Sequence, residues 1–221
     1  MVDADDAGNG GVVVAGSGAT GDADSETEDP LKAEIMRATY RALIEQGYSE
    51  LTIQGIADEF LKSKSLLYYH YDGKDDLIAS FLGFATDRFR REIEIEIDDP
   101  EAQLRALVDQ LVPESLDDDE YRVQVALLEL RSETPHNEQF RQQYAVVDDT
   151  LKSAIADVLR RGTESGAFAT DVNPDTEAEI LVSLLTGVRT RRLSTYERFS
   201  VAETRAAFDA YLDRLLADPE T

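Results

Sequence analysis

Cysteine is absent from this 221-residue chain, and only two histidines are present. Without cysteine the chain forms neither a disulfide framework nor a thiolate metal site. The histidines, His70 and His136, lie far apart in the sequence and give little basis for a histidine metal site. We therefore expect no metal and no cofactor.

Long apolar runs are also missing. No segment approaches the roughly 18 consecutive apolar residues that a membrane-spanning helix needs. The N-terminus begins with Asp3, Asp5 and Asp6, where a secretory signal has basic residues. Hydrophobic residues still make up 42% of the chain, which is enough for a core. These features predict a soluble, cytoplasmic, globular protein with no membrane partner.

Positive charge is scarce. The chain has 46 acidic and 22 basic residues, a net charge of −24, and only five of the bases are lysines. Dense carboxylates with few lysines fit a halophilic protein, because concentrated salt screens surface repulsion over a few ångströms. An ordinary acidic surface with an acidic tail is the alternative. We favour salt adaptation, since acidic clusters such as residues 98–99 and 117–119 recur along the chain.

Residues 1–29 are rich in glycine, aspartate, alanine and serine and lack a helical period, so we expect a disordered acidic tail. The tail contains the pattern G-x-G-x-x-G at Gly16, Gly18 and Gly21. A dinucleotide site requires a helix that opens at those glycines. The residues that follow are acidic, offer no helical face and repel phosphate. A nucleotide-dependent enzyme is therefore an unlikely alternative.

From Pro30 onward the sequence has the period of helices. Pro30 suits a first turn, and Gly47 suits the left-handed position that ends a helix. Thr52 and Ser63 can cap a second and a third helix. A fourth helix should begin near residues 72–73 and run to about Ile97, although the Glu-Ile alternation of residues 92–97 is also a strand signal.

The same period continues beyond Pro100. Further helices are expected over residues 101–112, 119–132, 136–162, 175–194 and 202–217. The predicted fold class is all-α.

Residues 51–77 contain two short amphipathic runs joined by a tight polar turn. In the second run, residues 63–71, lysine, serine, tyrosine and histidine lie on one side while Leu66 and Leu67 face inward. This layout is typical of a helix-turn-helix, whose second helix enters the major groove of DNA. Residues 31–74 hold six bases and six acids, so this segment is neutral in a strongly acidic chain. A phosphate-binding surface needs such local relief from negative charge.

The segment from Ile35 to Leu82 resembles the DNA-binding domain of TetR-family transcriptional regulators. The residues that carry the resemblance are Ala38, Gly47-Tyr48, Leu51-Thr52-Ile53, Ile56-Ala57, Ser63-Lys64-Ser65-Leu66-Leu67-Tyr68-Tyr69-His70-Tyr71 and Lys74-Asp75-Asp76-Leu77. Where that family often has Ala-Gly-Val between its second and third helices, this chain has Phe60-Leu61-Lys62. The resemblance implies a helix-turn-helix domain over residues 30–77 and a helical ligand-binding and dimerisation domain over residues 78–221.

Ten residues of this segment are candidates for contact with double-stranded operator DNA. For some of them an ordinary structural role is the alternative. Lys64 and Ser65 could be solvated side chains, and Tyr68 could pack between helices. His70 could be a buried residue that forms hydrogen bonds, and Thr52 could serve only as a cap. The candidates are Thr52, Gln54, Lys62, Ser63, Lys64, Ser65, Tyr68, Tyr69, His70 and Lys74.

The resemblance also implies a homodimer in which the last two long helices of each copy form a four-helix bundle. A core within one chain is the alternative for these residues. The expected interface residues are Ile180, Leu184, Gly187, Val188, Phe208, Tyr211, Leu212 and Leu215.

The resemblance further implies a cavity that binds an unknown small-molecule effector. Ordinary packing competes with ligand contact at each candidate residue. The candidates are Tyr121, Leu128, Glu129, Phe140, Tyr144 and Arg189.

The sequence thus predicts a homodimeric, sequence-specific transcriptional regulator, most simply a ligand-responsive repressor. An architectural DNA-binding protein without an effector is a competing class, but 144 residues beyond Leu77 exceed what dimerisation alone requires. An enzyme is disfavoured, because no nucleophile motif or metal-ligand cluster is present.

Overall fold

Most of the described structure is helical. It is a computed structural model that describes residues 29–60, 64–195 and 198–217. The predicted all-α class is confirmed, because the only β-type pairing in this described part is an isolated bridge between Phe168 and Leu216. None of the described helices is long and apolar enough to cross a membrane. In order, the helices are α1 (Pro30–Glu50), α2 (Ile53–Glu59), α3 (Lys64–His70), α4 (Lys74–Ile93), α5 (Pro100–Leu111), α6 (Asp118–Ser132), α7 (Glu138–Ser165), α8 (Pro174–Ser194) and α9 (Val201–Leu212), followed by a 3₁₀ turn (Asp213–Leu215).

Polar side chains fix where several helices begin. The Thr52 hydroxyl accepts the Gly55 N–H at 3.0 Å, which confirms the predicted cap of α2. Asn137 and Asn173 cap α7 and α8 in the same way. Each cap satisfies a backbone N–H that has no partner within its helix. The predicted cap of α3, Ser63, lies outside the described residues.

Gly47 interrupts α1. Its φ of +68° has the predicted sign, but its ψ of 170° lies outside the left-handed helical region. The chain then makes one further turn, so α1 ends at Glu50 instead of at the glycine.

Two predicted helices are shorter than expected. The fourth was expected to reach Ile97, but α4 ends at Ile93, where side chains of α5 bind one carbonyl group at its end and one just beyond it. Gln110 donates to the Glu92 carbonyl at 2.9 Å, and Gln103 donates to the Ile95 carbonyl at 2.6 Å. The last helix was expected to reach residue 217, but α9 ends at Leu212, since the following residues turn and pair with residues 167–169.

The buried residues form two clusters, and α4 contributes to both. The head core joins α1–α3 and the first half of α4 to residues of α6 and α7, including Leu130 and Phe140. The body core joins the second half of α4, from Phe89, to α5, α7, α8 and α9. One helix therefore links the helix-turn-helix segment, residues 30–77, to the body core. We call this segment the head.

Candidate DNA-binding surface and internal cavity

Helix α3 has one buried side and one exposed side. Leu67 is fully buried and Leu66 packs partly against the head core. On the opposite side Tyr68 is 54% exposed and Tyr69 is 83% exposed. His70, which is also exposed, lies against Tyr69 with a ring-centroid separation of 5.1 Å. These hydroxyl and imidazole groups are available to phosphate oxygens or base edges in a DNA groove.

A chain of polar side chains ties α3 to α2. The Lys64 ammonium donates to the Gln54 side-chain carbonyl at 2.7 Å, and the Gln54 amide donates to the Asp58 carboxylate at 2.6 Å. The ammonium also lies 5.5 Å from the centre of the Tyr68 ring. The cation is thus held at the start of α3, beside the exposed tyrosines.

Lys74, at the first position of α4, has its ammonium turned toward the protein. The nitrogen lies 4.4 Å from the centre of the Tyr48 ring and 3.5 Å from the Tyr48 carbonyl oxygen. Gly73 precedes the helix and supplies no side-chain cap, so the first N–H groups of α4 lack a side-chain acceptor there. Such groups attract phosphate, although Asp75 and Asp76 in the same turn offset part of that attraction.

Tyr48 also connects the head to the larger domain. Its backbone N–H donates to the Glu129 carboxylate of α6 at 3.0 Å, and its ring meets the edge of Phe140 from α7 at 6.0 Å. Asn137 adds a hydrogen bond of 3.3 Å to Asp75 at the start of α4. The orientation of the head thus depends on α6 and α7 as well as on α4.

A cavity of about 110 Å³ lies between α4, α6, α7 and α8. This space holds several water molecules or a small organic molecule. Its walls are mainly aliphatic and aromatic, with a few polar groups. The lining residues are Leu82, Ala85, Thr86, Phe89, Gln124, Leu127, Leu128, Arg131, Tyr144, Val147, Thr186, Arg189, Thr190 and Leu193.

Three side chains set the electrostatics of the cavity. Arg131 forms a two-pronged ion pair with Asp148, at 3.2 and 2.7 Å, and its guanidinium lies 5.1 Å from the centre of the Tyr144 ring. The Tyr144 hydroxyl donates to the Leu127 carbonyl at 2.6 Å, and burial raises its pKa, so it is neutral. Burial lowers the pKa of Arg189, which makes no hydrogen bond or ion pair with any other described residue.

Family models match both parts of the chain. Residues 35–81 match the bacterial regulatory proteins of the tetR family, and residues 100–217 match the C-terminal domain of BetI-type transcriptional repressors. A TetR transcription regulator from Haloarcula marismortui is 39% identical, with a TM-score of 0.76, over 84% of this chain and 98% of that one. The chain belongs to the TetR family of transcriptional regulators.

Two further similar structures were solved with a small molecule bound. A transcriptional regulator from Saccharomonospora viridis, solved with choline, is 26% identical, with a TM-score of 0.68, over 85% of this chain and 97% of that one. FadR from Bacillus subtilis, solved with stearoyl-CoA, is 17% identical, with a TM-score of 0.66, over 83% of this chain and 97% of that one; this likeness concerns the fold alone. No curated protein gives a significant match.

In this TetR-family regulator, the predicted DNA-contact residues fall into three groups. Lys64, Ser65, Tyr68, Tyr69 and His70 all lie on α3. Thr52 and Gln54 lie at the start of α2, where Thr52 serves as the cap and Gln54 binds its neighbours. Lys74 lies at the start of α4 with its ammonium on Tyr48. Lys62 and Ser63 lie outside the described residues.

Half of the predicted ligand contacts line the cavity, namely Leu128, Tyr144 and Arg189. The other three, Tyr121, Glu129 and Phe140, do not line it. Glu129 binds the Tyr48 N–H, and Phe140 is fully buried in the head core, because these parts of α6 and α7 pack against α1. Tyr121 lines a separate hollow near Phe199. The sequence reasoning missed Arg131, which lies one helical turn after Leu128 and shares its face of α6.

The predicted dimer residues divide by exposure. Ile180 and Leu184 are 38% and 41% exposed, and Gly187 continues their row along α8. Four others have side chains buried in the chain's own body core: Val188, Phe208, Leu212 and Leu215. Tyr211 is partly buried, and its hydroxyl binds the Glu177 carboxylate.

Proposed function

We propose that this TetR-family regulator is a homodimeric, sequence-specific repressor that a small molecule releases from its operator. The observation that carries the proposal is the continuity of α4. This helix begins three residues after the end of α3, across residues 71–73, and then forms one wall of the cavity. Helix α4 thus joins the proposed DNA-binding helix to the proposed ligand site.

The exposed face of α3 supports DNA binding. Tyr68 and Tyr69 are exposed, although burial of apolar surface would favour packing their rings inside. Lys64 adds a cation held by Gln54. In a chain with a net charge of −24, the neutral segment of residues 31–74 repels phosphate less than the chain does on average. We assign α3 to the major groove and the start of α4 to a flanking phosphate.

The outer face of α8 supports a homodimer. Ile180, Leu184 and Gly187 recur at spacings of four and three, which places them on one side of the helix. The adjacent side, with Leu181 and Leu185, is buried in the body core. On α9, the exposed alanines 206, 207 and 210 offer a surface of small residues that a partner helix can approach closely. We assign these two faces to a four-helix bundle with a second copy.

The cavity supports control by a ligand. Residues Leu82 and Phe89 of α4 form part of its wall, and Phe89 lies about 22 Å along the helix from Lys74 at a rise of about 1.5 Å per residue. A ligand that contacts this wall and shifts α4 also shifts residues 30–77, because α4 continues from one to the other. A shift of this kind typically couples two sites by about 1–3 kcal/mol. An architectural protein without an effector has no use for such a cavity.

Choline and stearoyl-CoA, the ligands of the two similar structures, do not suit this cavity. Among the described residues, no acidic one lines the cavity, whereas a quaternary ammonium such as choline is favoured by acidic or open aromatic surroundings. The Tyr144 ring is already covered by Arg131. A long acyl-CoA is far larger than a space of about 110 Å³.

Titration of labelled DNA from upstream of the protein's own coding region tests the proposal. Unrelated DNA of the same length and base composition is the control. We expect affinity for a specific site to exceed that for the control by about 10³-fold or more at the same salt concentration. Equal affinity for the two fragments would overturn the assignment as a sequence-specific repressor.

A further inference from the structure

We infer that the effector is a small organic carboxylate, whose anionic group binds Arg189 while its short apolar body packs against α4 and α7. This inference rests on the proposed ligand-responsive function. It deepens that function by naming the chemical class that the cavity selects.

The two arginines of the cavity differ in their pairing. Arg131 is neutralised by Asp148 through two contacts of 3.2 and 2.7 Å. Arg189 has no such partner among the described residues, and no aspartate or glutamate lines the cavity. Asp148 also acts on Arg189 from a distance, but this one carboxylate faces two guanidinium groups, so the group keeps one net positive charge.

Arg189 is half-buried, and a guanidinium partly removed from water is less stable unless a counter-charge or hydrogen bonds replace the lost water. Burial lowers the pKa of Arg189, but arginine stays protonated in proteins. A bound carboxylate supplies what is missing, since its two oxygens match the fork of donors of a guanidinium. A cation such as choline would instead add like charge to the same space.

The rest of the cavity describes the body of the ligand. Leu82, Phe89 and Val147 offer apolar surface, which favours an aliphatic or aromatic group next to the carboxylate. The Gln124 side chain is buried and lines the cavity without a described hydrogen-bond partner, so it offers a second polar contact. The volume of about 110 Å³ restricts the ligand to a small molecule.

Melting and calorimetric titrations with matched probes test the inference. Butyrate, hexanoate and benzoate are compared with butyramide, hexanamide, benzamide and choline. The amides keep the shape of each acid and remove its charge. We expect at least one of the acids to bind, and its amide and choline to bind at least about tenfold more weakly, as loss of a hydrogen bond to a charged group implies.

Arg189→Met removes the cation and keeps an unbranched side chain. Arg122→Met, at an exposed position of α6, is the matched control with the same change of charge. Carboxylate binding should weaken at least about tenfold in the first variant and stay unchanged in the second. Arg189→Met should melt no lower than the parent protein, because it deletes a half-buried charge that has no ion-pair partner among the described residues. Arg189→Lys, which keeps the cation, should retain part of the binding.

The outcomes separate this inference from the proposed function. It is overturned if no carboxylate binds, if an amide or choline binds as tightly as its acid, or if Arg189→Met binds carboxylates like the parent. Carboxylate binding that leaves operator affinity unchanged would contradict the effector role. Failure of the ligand-free protein to recognise its operator would instead contradict the proposed function, whatever the probes show.

Discussion

Leu184→Asp places a charge at the centre of the proposed dimer face of α8. Leu184 is 41% exposed in the single chain, so the fold of one copy depends little on it. Surface changes of this kind usually alter stability by less than about 0.5 kcal/mol. The effect should therefore fall on association between copies.

The size of that effect follows from the exposed fraction. Full burial of a leucine side chain is worth about 1.5–3 kcal/mol, so burying the exposed 41% contributes about 1 kcal/mol per copy. A polar group buried without a partner costs about 1–3 kcal/mol more on each side. Two copies together lose about 4 kcal/mol or more, which corresponds to a dimer dissociation constant raised about 10³-fold.

Sedimentation beside an operator titration measures both consequences. We expect a folded monomer that has lost most of its operator affinity. Val146→Asp on α7 is the matched control, because Val146 is 43% exposed and lies outside the proposed interface. The control should remain dimeric and bind DNA normally. A Leu184→Asp protein that stays dimeric, or a monomer that binds at full strength, would refute the assignment of this face.

Three further predictions concern the head, the contact between domains, and salt. Lys64→Ala should weaken operator binding by about 1 kcal/mol without changing the melting temperature. Lys74→Ala should weaken binding to every DNA sequence alike and reduce the dependence of log affinity on log salt concentration by about 1. If both variants bind like the parent protein, the DNA-binding surface is misassigned. Glu129→Ala removes the acceptor of the Tyr48 N–H, so urea unfolding should show a loss of about 1–2 kcal/mol, and an unchanged midpoint would contradict the importance of this contact. With a net charge of −24, the melting temperature should rise between about 0.1 M and molar salt while DNA binding weakens, and a melting temperature independent of salt would rule out halophilic adaptation.

Local signals in the sequence predict most helices and their starts. The cap at Thr52 depends only on neighbouring residues and lies where the pattern places it. Helix α8 begins within one residue of the expected start at 175. The end of α4 depends instead on Gln103 and Gln110 of α5, which bind carbonyl groups near residue 93. A contact of this kind joins side chains of one helix to the backbone of another, and no local period reveals it.

The functional sites were less predictable for a similar reason. Helix α8 has two apolar rows, one with Leu184 and one with Val188, and periodicity cannot tell which row faces the chain's own core. Similarly, Arg131 and Arg189 are equivalent as sequence letters. Only the fold brings Asp148 to one of them and leaves the other unpaired. Exposure and pairing are properties of packing between distant segments.

Hydroxyl-radical footprinting of the ligand-free dimer on its operator tests the central claim most directly. Two α3 helices fixed by a two-fold bundle must enter major grooves about 34–36 Å apart, or a multiple of that distance. The account predicts two protected half-sites in a near-palindrome, both lost with Leu184→Asp and both weakened by Tyr69→Ala. A single protected half-site, or protection that does not depend on α3, would contradict it.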